Sequence, residues 1–81
     1  MEKGVIYDVV PQEGNWGAIG YFLDGKYFTP WNGGERLSGE VVGGEFKGTD
    51  GASGKVTGLV LIRDNPDVSL PMNTFHLVPR E

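Results

Sequence analysis

The amino-acid sequence predicts a small all-β barrel, on three observations. Short runs rich in β-branched and aromatic residues recur along the 81 residues, with Gly, Pro, Asn and Asp clustered between them. Fourteen glycines and five prolines cut the chain into pieces that leave little room for a helix. No stretch of about ten residues or more carries the 3.6-residue apolar period of a buried helix.

The elements follow in order. Val5 to Val10 has the β-branched and aromatic content of a strand. Pro11-Gln12-Glu13-Gly14-Asn15 is turn chemistry, because Pro fixes φ and Gly supplies a positive φ. Trp16 to Leu23 reads as the second strand, with Gly17 and Gly20 marking a bend or a close backbone approach. Asp24-Gly25 is the clearest hairpin turn. Lys26 to Thr29 returns as the third strand, which Pro30 stops or confines to an edge. Asn32-Gly33-Gly34-Glu35-Arg36 reads as a flexible loop. Leu37 to Phe46 is the fourth strand, weakened by Gly39, Gly43 and Gly44.

Thr49-Asp50-Gly51-Ala52-Ser53-Gly54 is a second strong turn. Lys55 to Arg63 is the best strand, and Val56, Leu59, Val60, Leu61 and Ile62 suit a barrel core. After an Asp64-Asn65-Pro66-Asp67 turn, Val68 to Leu70 and Thr74 to Val78 read as a last pair of short strands around Pro71-Met72-Asn73. Leu77-Val78-Pro79-Arg80 resembles part of an engineered protease site, but reads better as native terminal strand. Closing such a sheet removes exposed edges. The expected architecture is an antiparallel five-stranded, or slightly extended, OB-fold-like barrel, with an SH3-like barrel as the alternative. There is material for one domain only: residues 1–63 form the barrel, and 64–81 a C-terminal extension packed on it.

Composition limits function. There are 11 Asp and Glu against 7 Lys and Arg, a formal net charge of −4, which opposes loose attraction to polyanions. There is no cysteine, hence no disulfide and no thiolate metal site. No apolar run is long enough to span a bilayer, and Met1-Glu2-Lys3-Gly4 has no leader-like apolar stretch, so a cytoplasmic location is expected, with no membrane partner. His76 stands alone between Phe75 and Leu77, which suits a structural or surface role rather than a metal ligand. No G-x-S-x-G elbow occurs, and Gly51-Ala52-Ser53-Gly54-Lys55 runs into Val56 without phosphate-loop spacing. Asp8, Glu13 and Asp24 are carboxylates without an evident deep pocket. The chain therefore reads as a non-enzyme with no cofactor and no metal.

Lys3-Gly4-Val5-Ile6, Asn15-Trp16-Gly17-Ala18-Ile19, Asp24-Gly25 with Phe28, and Gly48-Thr49-Asp50-Gly51-Ala52-Ser53-Gly54 before Val56 stand in an order that resembles the cold-shock domain. The likeness runs over residues 3 to 62 and implies a five-stranded OB-fold that binds single-stranded RNA or DNA. Carried over by position, it implies base-stacking roles for Trp16, Phe28 and Trp31. Lys3 and Lys26 are the cations placed to steer the backbone. Asp8, Ala18 and Pro30 depart from the pattern, standing where the family has a tryptophan, a second motif ring and a histidine. Each stacked base contributes ~1–3 kcal/mol, so three rings suffice for weak, salt-sensitive binding. The alternative is an acidic protein-interaction module, a regulator or inhibitor of a basic, nucleic-acid-handling protein. Glu2, Asp8, Glu13, Asp24, Glu35, Glu40 and Glu45 supply its charge, and exposed rings its contact.

Overall fold

A computed structural model describes residues 2–12, 17–64 and 73–80. Its strands are β1 (Tyr7–Pro11), β2 (Gly20–Leu23), β3 (Lys26–Trp31), β4 (Gly34–Val42), β5 (Glu45–Gly48), β6 (Ser53–Thr57), β7 (Val60–Arg63) and β8 (Thr74–Pro79). Each pairs antiparallel with the next, and β8 returns to β1, so the sheet closes as a barrel.

The expected all-β, antiparallel, closed barrel is present, but among the described residues it has eight strands rather than five. Two expected strands each fold back on themselves. The stretch 37–46 turns at Gly43-Gly44, where both φ values are positive (59° and 79°), as a type I′ hairpin requires. The stretch 55–63 turns at Gly58-Leu59, where only the first position is positive (59°), the pattern of type II′. The expected flexible loop at 32–36 is a third such device. Asn32 (φ 47°) and Gly33 (φ 78°) make a two-residue hairpin, and Gly34 to Arg36 belong to β4. Asp24 (φ 52°) and Gly25 (φ 78°) turn as expected. Pro30 lies inside β3, opposite Glu35. The expected strand at Val68–Leu70 lies outside the described residues.

The core is Tyr7, Val9, Phe22, Phe46, Leu61, Phe75 and Leu77, all at most 5% exposed. Alternation along each strand selects them: on β8, Phe75 and Leu77 face inward while His76 and Val78 face out. The same rule sends Ile62 outward beside buried Leu61. Leu59 sits exposed in a turn, so neither Leu59 nor Ile62 joins the core as expected. Phe22, Tyr27 and Phe46 meet as three rings 5.0–5.8 Å apart, two of the contacts edge-to-face. Burying a side chain the size of Phe contributes ~1.5–3 kcal/mol.

Strand direction sorts the connections. The turns 24–25, 43–44 and 58–59 lie at one end of the barrel, with residues 2–6 and Arg80. The turns 32–33 and 49–52, with the described residues 12, 17–19, 64 and 73, lie at the other. Long connections on a rigid barrel are where binding groups concentrate.

Candidate functional site

Two surfaces hold the chemistry-bearing side chains. The first is the outer face of β1–β3. The register aligns Val78, Asp8, Tyr21, Phe28 and Leu37 in one row across five strands. Tyr21 and Phe28 stack at 5.2 Å between ring centroids, 25° apart. Arg80 reaches back from the end of β8 and binds Asp8 through two hydrogen bonds of 2.5 and 3.3 Å. Its guanidinium also lies 5.1 Å from the Tyr21 ring centroid. The Tyr21 hydroxyl donates to Glu35 across β2–β4, and this bond raises the Tyr21 phenol above its usual value. The hydrogen bond to Asp8 likewise raises the Arg80 guanidinium. A recess of about 170 Å³ opens between these groups, lined also by Ala18, Gly20 and Pro30. Asp8, Ala18 and Pro30, the three departures from the cold-shock pattern, thus meet around one recess.

The residues expected to bind nucleic acid are only partly brought together. Trp16 lies outside the described residues. Phe28 is half-buried against Tyr21. Trp31 is 53% exposed three residues further along β3, which places it on the opposite face from Phe28. The Arg36 guanidinium covers the Trp31 ring at 4.3 Å. Lys3 is exposed next to Gly4, whose N–H donates to Asp24 at 2.7 Å, so Lys3 lies by the same turn as exposed Lys26. Lys26 faces Glu40 in the β3–β4 register. At the usual rise per strand residue, Lys26 and Trp31 stand roughly 16 Å apart along β3. The structure gathers the two lysines at one end of the strand and leaves Trp31 at the other.

Sequence reasoning ranked Tyr21 as a weaker ring candidate, named Glu35 only among the scattered acids, and missed Arg80 on this face. For Tyr21 a signal existed. A two-residue turn at Asp24-Gly25 fixes the register, pairing Leu23 with Lys26, Phe22 with Tyr27 and Tyr21 with Phe28. Glu35 and Arg80 arrive through non-adjacent strands, which no local pattern announces.

The second surface is the mouth of the barrel at the end with the 32–33 and 49–52 turns. A cavity of about 290 Å³ opens there. Val9, Phe46, Leu61 and Phe75 form its apolar wall, and Thr29, Ser38, Thr49, Asp50, Arg36 and Arg63 bring polar groups to it. The Thr29 and Ser38 hydroxyls are hydrogen-bonded at 2.6 Å. Asp50 caps the β5–β6 turn by accepting the Ala52 N–H at 3.1 Å. Tyr27 also lines the cavity. Burial pushes its phenol up to about 12, against a smaller downward pull from Arg63 and a small upward push from Asp50. At neutral pH Tyr27 is therefore a protonated donor.

Among the described residues, no three His, Asp or Glu side chains converge as metal ligands. No protein-family model, curated protein sequence or solved structure matches the chain.

Proposed function

We propose that the chain is a non-enzymatic binding module that docks a basic protein segment on the outer face of β1–β3. The observation that carries this reading is the pair of carboxylates, Asp8 and Glu35, that share one recess with Tyr21, whose ring stacks on Phe28. Each carboxylate has acceptor sites beyond those used by Arg80 and Tyr21, so an incoming guanidinium or ammonium finds partners there. Exposed Val78 and Leu37 extend the row apolarly on both sides, as the centre of a protein contact needs. The net charge of −4 attracts a basic partner over longer range, with the salt dependence such steering has.

Single-stranded RNA or DNA is the second reading, favoured by Trp31 under Arg36, an exposed ring and guanidinium of the kind on which bases stack. The OB-fold is a five-stranded Greek key, so the likeness to the cold-shock domain rests on its motifs rather than on strand count.

Amide-resolved NMR titration distinguishes the two. An arginine-rich peptide is expected to shift Asp8, Tyr21, Phe28 and Glu35 and to lose affinity in Glu35→Gln. A short oligothymidylate that shifts Trp31 and Arg36, while the peptide shifts nothing, reverses the order of the readings.

A further inference from the structure

We propose that the barrel mouth is a second binding site, which takes a small aromatic carboxylate with its ring against Ile19, Tyr27 and Ala52 and its carboxylate at Arg36 and Arg63. The inference is independent of the outer-face reading, because the two sites use opposite faces of β3. Tyr27 and Thr29 line the mouth, whereas Pro30 lines the outer recess.

Three observations carry it. The first is size. A cavity of about 290 Å³ is roughly twice the ~150 Å³ that holds a benzene molecule. It accommodates one substituted ring rather than a lipid or a nucleotide. The second is the wall, where half-buried Ile19, Tyr27 and Ala52 give an apolar seat for a flat ring over the buried side chains of Val9, Phe46, Leu61 and Phe75.

The third is charge. The chain has three arginines. Arg80 is ion-paired with Asp8, and among the described residues no ion pair engages the other two. Both of these, Arg36 and Arg63, line the mouth of a protein that is acidic overall. Guanidinium groups are the side chains best matched to a carboxylate, through paired N–H donors. Among the described residues lining the cavity the one acid is Asp50, which already accepts a backbone N–H within its own turn. The Tyr27 hydroxyl adds a donor for a ring substituent, and the Thr29–Ser38 pair, whose protons go to Ser38 and to the Arg36 carbonyl, adds acceptor sites.

The test uses the full chain and three probes: benzoate, benzyl alcohol of nearly the same shape without charge, and acetate with the charge but no ring. Titrations are followed by amide shifts. Benzoate is expected to bind in the millimolar range typical of so few atoms, with shifts at Thr29, Ser38, Phe46, Ala52 and Arg63. Benzyl alcohol is expected to bind about tenfold more weakly, as loss of a charge-assisted contact implies, and acetate to leave those amides unmoved. Arg63→Gln and Arg36→Gln each lower benzoate affinity about tenfold and leave benzyl alcohol unchanged, while Arg80→Gln has no effect. Ala52→Leu, which adds bulk at the cavity wall, abolishes binding of both aromatic probes. Amide dispersion reports that each variant is folded. Benzoate shifts confined to the outer face, equal affinity for benzoate and benzyl alcohol, or an unaltered benzoate affinity in both mouth-arginine variants would overturn the proposal.

Discussion

The ring of Phe46 lies so close to Gly39 that a Cβ added there stands 2.8 Å from the ring edge and 2.8 Å from the Lys47 carbonyl oxygen. Neither neighbour is free to move, since Phe46 is a core ring and Lys47 pairs within the β4–β5 ladder. Gly39→Ala is therefore expected to destabilise the barrel by ~1–3 kcal/mol, the usual cost of overpacking. Urea unfolding measures this. Gly17→Ala is the control, because nothing lies within 4 Å of a Cβ there. A Gly39→Ala midpoint equal to that of Gly17→Ala would show the contact to be soft.

Tyr27 makes stability depend on alkaline pH. Its phenol is raised by burial from 10.0 to about 12 in the folded chain, so the folded state holds the proton more tightly than the unfolded state. The contribution is fully present below pH 10.0 and is lost as the pH rises toward 12. At 1.36 kcal/mol per unit the loss is of the order of 2 kcal/mol. Denaturation midpoints across this range are expected to fall more steeply for the parent than for Tyr27→Phe. Parallel slopes would contradict a buried phenol.

Gly33 occupies the left-handed region at φ 78°, in the turn joining β3 to β4. A side chain there costs roughly 1–2 kcal/mol. Gly33→Ala is expected to lower the thermal midpoint without changing the affinity of either surface, because an added Cβ touches nothing within 4 Å. Calorimetry together with the benzoate titration separates the two effects.

β8 is an integral stave of the barrel. It pairs with both β7 and β1 and supplies Phe75 and Leu77 to the core. A chain ending at Arg63 loses both pairings and opens two edges. It is expected to lose cooperative unfolding and amide dispersion, whereas Phe75→Ala costs ~3–5 kcal/mol and keeps the topology. A folded, dispersed spectrum from residues 1–63 would contradict this account.

The sequence revealed most about the fold where chemistry is local. Asp24-Gly25 declares a hairpin by needing positive φ twice, and the β-branched and aromatic content of Val5 to Val10 declares the strand found at Tyr7–Pro11. Gly43-Gly44 and Gly58-Leu59 declared less, because a glycine inside an apolar run weakens a strand or turns it, and only the register of distant partners decides. Asn32-Gly33 was legible, being the strongest of short hairpin signals, but the further glycine at position 34 gave it the look of a loop. On the candidate site, Phe28, named from its motif, lies stacked on Tyr21, and Trp31 fell on the other face through a three-residue spacing. Arg80 was invisible, since its partner Asp8 is 72 residues away in the chain.

Residues at both extremities of the described chain meet at the barrel's hairpin end. The Arg80 N–H donates to the Ile6 carbonyl at 2.7 Å, and the Glu2 N–H to the Tyr7 hydroxyl at 2.8 Å. Anything fused before residue 2 or after residue 80 thus leaves from the base, on the side away from the mouth. A surface-immobilised or tandem-linked barrel would be held by its base with the opening presented to solution.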